Sequence, residues 1–210
     1  MSYSIFQDTM ADMTYQQIEN AAANKQPVLF PTGVIEEHGP HLCLGVDTYL
    51  SVTQSRIVKK GLADLGIASV IAPPFYWGIN VASNAFAGSF SVKPETMVSV
   101  LFDSLECLQK WGFEQVFLLN FHGDFKHVSA VMESTRRAQE ELGLGARFLV
   151  SQSFLQRAGI PEDKPYVLVQ PDSPTYRNKE QPPEYLDIHA ASIETSMMLK
   201  NFPDLVDVEL

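Results

Sequence analysis

The sequence predicts an α/β fold: a parallel sheet with helices packed on both faces. Three observations carry that prediction. Short apolar runs of strand length alternate with longer stretches at helical spacing. Prolines and glycines punctuate the borders between them. The polar residues able to do chemistry cluster directly after apolar runs, at the strand ends where crevices form in such sheets. A chain of 210 residues is expected to be one domain, 1–210, long enough to bury a sizeable core.

Taken in order, Tyr15, Ile18 and Ala22 place a first helix within residues 11–25, closed by Pro27. Residues 28–30 are the first strand. A helix is expected from Thr48, burying Leu50, Ile57, Val58 and Leu65, with Arg56, Lys59 and Lys60 outside and Gly66 as its stop. The second strand, 68–72, runs into a double proline and three consecutive aromatics, which read as core or a packed loop, with Tyr76 or Trp77 the alternative candidates for lining a substrate pocket. Pro94 opens the next helix, whose stripe of Met97, Leu101, Leu105 and Leu108 lies opposite Asp103, Glu106 and Lys110. A third strand, 115–119, is followed by a helix over about 128–142, burying Val128, Val131, Met132 and Leu142, and then a fourth strand, 147–150. Residues 160–188 hold six of the thirteen prolines and show no sustained period. A long irregular segment of that kind suggests a lid or a subunit-contact arm. The last helix is expected over about 190–199, burying Ile193 and Met197.

Composition narrows the class. With 45% hydrophobic and 19% charged residues the chain is ordinary for a globular protein. A net charge of −10 leaves no basic excess to neutralise phosphates, so no nucleic-acid partner is expected. No apolar run reaches the length of a membrane span, and no signal peptide is expected. Two cysteines, Cys43 and Cys107, make no disulfide framework, which fits a cytoplasmic protein. Cys43 is expected to be a small buried hydrophobe.

The chain is organised around residues 31–50, PTGVIEEHGPHLCLGVDTYL. Glu36, Glu37, His38, His41 and Asp47 crowd there among three glycines, just past the first strand. Glu36 and His38 are two apart and share a face on extended backbone. Asp47 could instead cap the following helix, since Asp is a favoured N-cap residue. The distribution of imidazole favours a site. All five histidines fall in three short segments: His38 and His41 here, His122 and His127 in NFHGDFKH, and His189 in DIHAASIETS. Each segment also carries carboxylate. Mixed imidazole and carboxylate suits Zn or Mn. Glu36, His38, Asp47, His122 and Asp124 exceed what one ion requires, which favours two ions sharing a carboxylate. His189 and Glu194 are the candidates for catalytic proton transfer. They are five apart, about 140° around an ideal helix, so His189 should stand just before the helix starts. Glu194 is alternatively a further metal ligand. His41 and His127 are expected to be structural or to support the ligands, and Glu37 to be solvated or paired.

The first of these motifs resembles the opening motif of the creatininase (creatinine amidohydrolase) family, Glu-x-His-Gly-Pro-His-Leu-x-Leu-Gly with a following Asp. Asn120 to Asp124 resembles the family's Asn-Gly-His segment, and His189 to Ser196 its His-Ala-Gly-Glu-x-Glu-Thr-Ser. The order is kept across residues 31–196. The resemblance implies a creatininase-like αβα sandwich and a homo-oligomer, with a hexamer as the family's form. It also implies Asp47 as the bridging ligand, Glu36 and His122 on one ion, and His38 and Asp124 on the other. The implied activity is metal-dependent hydrolysis of a non-peptide C–N bond in a small cyclic amide or formamide-like substrate. Ring opening of a sugar-like cyclic ketone and a non-catalytic metal- or ligand-binding homologue are the alternatives. The chain departs from the family pattern at Asp124, shorter than creatininase's Glu, at Phe121 in place of Gly, and at Ser192 in place of an acid.

Overall fold

The computed structural model describes residues 3–171 and 188–210. Its centre is a five-stranded sheet, parallel throughout, in the order β2-β1-β3-β4-β5. The strands are β1 (Val28–Thr32), β2 (Val70–Ile71), β3 (Gln115–Asn120), β4 (Gly145–Ser151) and β5 (Val167–Gln170). The helices are α1 (Tyr15–Ala23), α2 (Val46–Asp64), α3 (Pro94–Lys110), α4 (Phe125–Leu142), α5 (Gln152–Ala158) and α6 (Ser192–Asn201).

Strand alternation sorts the core into two layers. Val28, Phe30, Val116, Leu118, Ala146 and Phe148 face α3 and α4 in the main core, where Met97, Leu101, Leu105 and Val131 are fully enclosed. Leu29, Ile71 and Leu119 face the other way, against Val58 and Leu62 of α2. A third cluster, Leu42, Val46, Leu50, Met198 and Phe202, docks α6 beside the start of α2. Pro31 sits inside a central strand, where a missing N–H is normally costly. Its carbonyl accepts from Phe75 N beyond the end of β2. The N–H and C=O of a strand residue point to the same side, so the missing donor faces away from β3 and removes nothing from the β1–β3 ladder.

The α2 stripe differs from the apolar reading. Ile57 and Leu65 are 65% and 76% exposed. The inward face instead runs through Asp47, Leu50, Ser51, Ser55, Val58 and Leu62. Small serines bring the helix close to the sheet: Ser51 Oγ donates to Thr32 O at 2.6 Å and Ser55 Oγ to Ser51 O at 2.9 Å. A pattern read from large apolar residues alone misses such a face, and Ile57 lies about 100° from Val58. The helix also starts earlier than Thr48, with Gly45 at its N-cap, so Asp47 lies in the first turn.

Two short elements, α5 and β5, are not apparent from periodicity. β5 falls within the proline-rich stretch expected to be irregular, and it pairs with β4 from Phe148↔Val167 to Ser151↔Gln170. A four-residue strand is too short to establish a period. Residues 172–187, most of that stretch, lie outside the described residues. Among the described residues, no helix is long and apolar enough to cross a membrane.

Candidate metal centre

Every candidate ligand stands at the carboxyl edge of the sheet, where helix-crossover connections leave a crevice. The loop after β1 carries Glu36 and His38, and the first turn of α2 carries Asp47. The β3–α4 turn carries His122, and the segment into α6 carries His189 and Glu194. Gly33 makes the first of these approaches possible. A Cβ there would lie 3.1 Å from the Asp47 carbonyl carbon and oxygen and from Thr48 N. Those neighbours are backbone atoms and cannot yield cheaply.

Asp47 is the centre of the arrangement and is 2% exposed. Its Oδ2 lies 2.9 Å from His122 Nδ1, and its Oδ1 3.5 Å from His38 Nε2. Glu36 Oε1 approaches His122 Nδ1 from another side at 3.0 Å. Glu194 Oε2 lies 3.9 Å from His38 Nε2. Among the described residues, donor atoms converge in three groups: Glu36/Asp47/His122, His38/Asp47/Glu194 and Glu36/His38/His189. Asp47 is shared by the first two.

The outer ring nitrogens determine what the inner ones offer. His122 Nε2 lies 3.0 Å from Ile79 O, and His38 Nδ1 lies 3.2 Å from Glu36 O. A carbonyl only accepts, so the proton is on the outer nitrogen in each case. In the neutral rings, His122 Nδ1 and His38 Nε2 therefore present lone pairs toward carboxylate oxygens. His38 Nε2 and Asp47 Oδ2 are buried without an aligned hydrogen bond. Acceptors this close among buried side chains require positive charge between them, and imidazole held by a carbonyl on its far nitrogen is the usual form of a metal ligand. The residues fit a divalent cation.

Electrostatics point the same way. Burial acts to lower the His38 and His122 pKa values, but Asp47, joined at His122 by Glu36 and at His38 by the Glu36 carbonyl and Glu194, raises them to about 9 and about 10. Burial alone would raise the Asp47 carboxyl, yet the two imidazoles hold it far below the usual carboxylate range. Burial, helped by the charge of Asp47, raises Glu194. Without a cation, the cage draws protons onto its imidazoles.

A family model described as creatinine amidohydrolase matches residues 11–210. The chain belongs to the creatininase family. It is 28% identical over 221 aligned residues to creatinine amidohydrolase of Pseudomonas putida, spanning 100% of this chain and 76% of that protein. A 3-dehydro-scyllo-inosose hydrolase of Thermotoga maritima is 26% identical across 94% of this chain and 57% of its own length. A mycofactocin precursor peptide peptidase of Mycolicibacterium smegmatis is 27% identical over 55% of this chain and 47% of its own. Among solved structures, a manganese creatininase aligns with TM-score 0.70 at 24% identity, covering 96% of this chain and 76% of that one.

Within this creatininase-family fold, the sequence candidates are distributed as follows. Glu36, His38, Asp47 and His122 converge, with Glu194 beside His38 and His189 beside Glu36. His189 stands three residues before α6, and its Nε2 lies 2.8 Å from Glu37 O. Asp124 borders the cavity of about 350 Å³ over the centre but belongs to none of the three groups. Its Oδ1 accepts from Lys126 N (2.8 Å) and His127 N (3.2 Å), capping α4, and its Oδ2 accepts from Val81 N (2.9 Å). His41 joins the first loop to α6 through Thr195 Oγ1 at 2.9 Å. Glu37 is half-buried and accepts from Gly39 N at 2.9 Å. Tyr76 and Trp77 pack on one another at 5.2 Å between ring centres and do not border the cavity. Cys43 is half-buried against the α2–α6 cluster.

Two site residues escape a reading of the sequence. The Ser83 hydroxyl contacts Glu36 Oε2 and lies 2.8 Å from Asn80 Oδ1. Both side chains are buried. A serine and an asparagine in a small-residue loop carry no spacing signal; only buried neighbours reveal them.

Proposed function

We propose that the protein is a metal-dependent hydrolase that opens a non-peptide C–N bond in a small cyclic amide or formamide-like substrate. The observation that supports this most is the shared carboxylate. Asp47 addresses His122 with one oxygen and His38 with the other, and each imidazole turns a lone pair inward. Two divalent ions, Zn or Mn, would sit with Glu36, Asp47 and His122 on one side and His38, Asp47 and Glu194 on the other. Divalent ions held there would supply a water ionised near neutral pH and Lewis-acid polarisation of the substrate carbonyl.

The chain's own residues do the rest. Ser83 and Asn80 orient Glu36. Glu36 O fixes the His38 ring. His189 is 38% exposed and borders the cavity. With its Nε2 proton given to Glu37 O, its Nδ1 is left to exchange a proton with substrate. Glu194 combines metal binding with acceptance of the Ala190 N–H at 2.5 Å. This assignment puts Glu194 in the place the family resemblance gave to Asp124.

The test is metal analysis of purified protein followed by turnover of creatinine and related cyclic ureides and formamides, with His189→Asn as the control for proton transfer. Two ions per chain and hydrolysis lost in His189→Asn with metal retained support the reading. Protein that binds neither added Zn nor added Mn would sink it. A second reading, ring opening of a sugar-like cyclic ketone, is favoured by the inosose hydrolase match, which extends along 94% of this chain. A panel containing inosose-like ketones separates the two. We also place the protein in the cytoplasm as a homo-oligomer, a hexamer by family resemblance, which light scattering after size-exclusion chromatography would check.

A further inference from the structure

Behind the centre, a second histidine does nothing in the proposed reaction and is more deeply buried than the ligand it stands beside. His127, in the first turn of α4, is 0% exposed against 6% for His122. The two rings pack edge to face, 4.9 Å between centres at 89°. His127 Nδ1 lies 3.2 Å from Ile79 N. A backbone N–H only donates, so Nδ1 is the acceptor and the His127 ring carries its proton on Nε2. The other side of the same residue faces the metal centre: Ile79 O accepts from His122 Nε2 at 3.0 Å. Ile79 is thus held at its N–H by one histidine and at its carbonyl by the other.

The space around this clamp is tight. A Cβ on Gly78 would come within 2.4 Å of His127 Nδ1 and 2.6 Å of its Cε1, and 2.9 Å from Gly33 O. The His127 ring therefore occupies the place where a side chain at residue 78 would stand, against the peptide it holds. Asp124 Oδ1 fixes the backbone of His127 itself through its N–H at 3.2 Å.

We propose that His127 is a positioning residue: by accepting the Ile79 N–H it fixes the Ile79 carbonyl that takes the His122 Nε2 proton, leaving His122 Nδ1 free for the ion. This rests on the metal-centre reading above. Without the acceptor at residue 127, the Ile79 N–H is buried and unpaired, and the peptide turns to find another partner. His122 then loses the carbonyl that selects its tautomer, and the proton moves to Nδ1, between Glu36 and Asp47, where it competes with metal. Removing a hydrogen-bond partner that orients a ligand commonly weakens metal binding by about 10- to 100-fold.

The experiment compares the full-length wild type with His127→Leu, which fills space without an acceptor, and His127→Asn, whose Oδ1 occupies nearly the position of Nδ1. Two quantities are read: Zn affinity by competition with a chromophoric chelator, and the slowly exchanging His122 Nε2–H resonance by nitrogen-edited NMR. The expected result is a loss of at least about 10-fold in affinity at one of two ions for His127→Leu, with the resonance broadened away. His127→Asn should restore both to within a few-fold of wild type. Should the leucine variant not fold, His127→Ala takes its place, removing the acceptor without adding branched bulk. The proposal is overturned if the acceptor-free variant binds Zn as the wild type does and keeps the resonance, or if Asn is as impaired as Leu. Wild-type protein that binds no Zn, yet whose His122 resonance depends on residue 127 as stated, would retire the metal reading and leave the clamp standing.

Discussion

The clearest division between family expectation and geometry concerns the proposed fifth ligand, and two single substitutions separate them. In Asp124→Ala, three backbone donors lose their acceptor: Lys126 N, His127 N and Val81 N. Loss of an N-cap costs about 1 kcal/mol, and an unpaired buried donor about 1–3 kcal/mol. Val81 is 47% exposed, so water can satisfy part of the deficit. The expected destabilisation is about 2 kcal/mol, or a fall in Tm of roughly 4–8 °C for a chain of this size. Metal content should stay at two ions, because Asp124 belongs to none of the ligand groups. Glu194→Ala should do the reverse. Its structural loss is chiefly the hydrogen bond from Ala190 N–H, about 1 kcal/mol, whereas His38 and Asp47 lose their third partner and one ion should leave. The assay is elemental analysis after dialysis against micromolar Zn, with calorimetry of chelator-treated protein for the structural cost. If Asp124→Ala loses an ion while Glu194→Ala keeps both, the geometric assignment is wrong and the motif-based one stands.

Ser83→Ala should leave the fold intact but free Glu36 Oε2 to rotate away from the metal, reducing turnover by about 10-fold, as for other hydrogen bonds that orient a ligand; unchanged steady-state kinetics would remove Ser83 from the site. Gly33→Ala forces a Cβ against the backbone of Asp47 and Thr48 and should cost about 1–3 kcal/mol, measured by urea denaturation of the metal-free protein. pH dependence offers a further check on that form. His38 and His122 have folded-state pKa values raised to about 9 and about 10, above the ordinary value of about 6.5. Their contribution is therefore complete below about pH 6.5 and lost as pH climbs through 9 to 10. Asp47, held low, contributes above its unfolded value and loses that on acidification. Metal-free protein should accordingly lose Tm between about pH 6.5 and 10, and saturating Zn should reverse the slope, because binding displaces those protons. A flat profile for the metal-free form would contradict the charge balance described for the cage.

How much of this is legible in the sequence depends on the range of the forces involved. The α3 stripe at Met97, Leu101, Leu105 and Leu108 is buried as its spacing predicts, because a helix against a sheet needs one apolar face and four leucine-sized residues define it. The same logic misleads at α2. Its inner face is built from Ser51, whose hydroxyl reaches across to the sheet backbone at Thr32 O, and Ser55, whose hydroxyl bonds back to Ser51 O; Ile57 and Leu65 stand in solvent. β5 escapes such a reading because four residues carry too little pattern to outweigh the prolines around them. Glu36, His38, Asp47 and His122 can be picked out because they are the residue types a metal requires, concentrated after two strands that turn out to be hydrogen-bonded neighbours, β1 and β3.

Glu194 and Asp124 show where such reading stops. Both are carboxylates near a histidine in sequence, and local spacing ranks Asp124 higher, two residues from His122. Yet the turn that brings Asp124 close also offers it the open N–H groups of α4, which satisfy its carboxylate at short range. Glu194 lies 158 residues beyond Glu36 and reaches the centre because Met198 and Phe202 of the α6 region pack against Val46 and Leu50 of α2. That packing turns the first turn of α6 toward His38, and His41 reinforces it through Thr195. The carboxylate is thus placed by hydrophobic packing several residues away from it. Disrupting that packing, for example with Met198→Ala, should weaken the His38 side of the centre while leaving Glu36 and His122 in place. Parallel loss of both ions in that variant would mean that α6 supports the whole site rather than half of it.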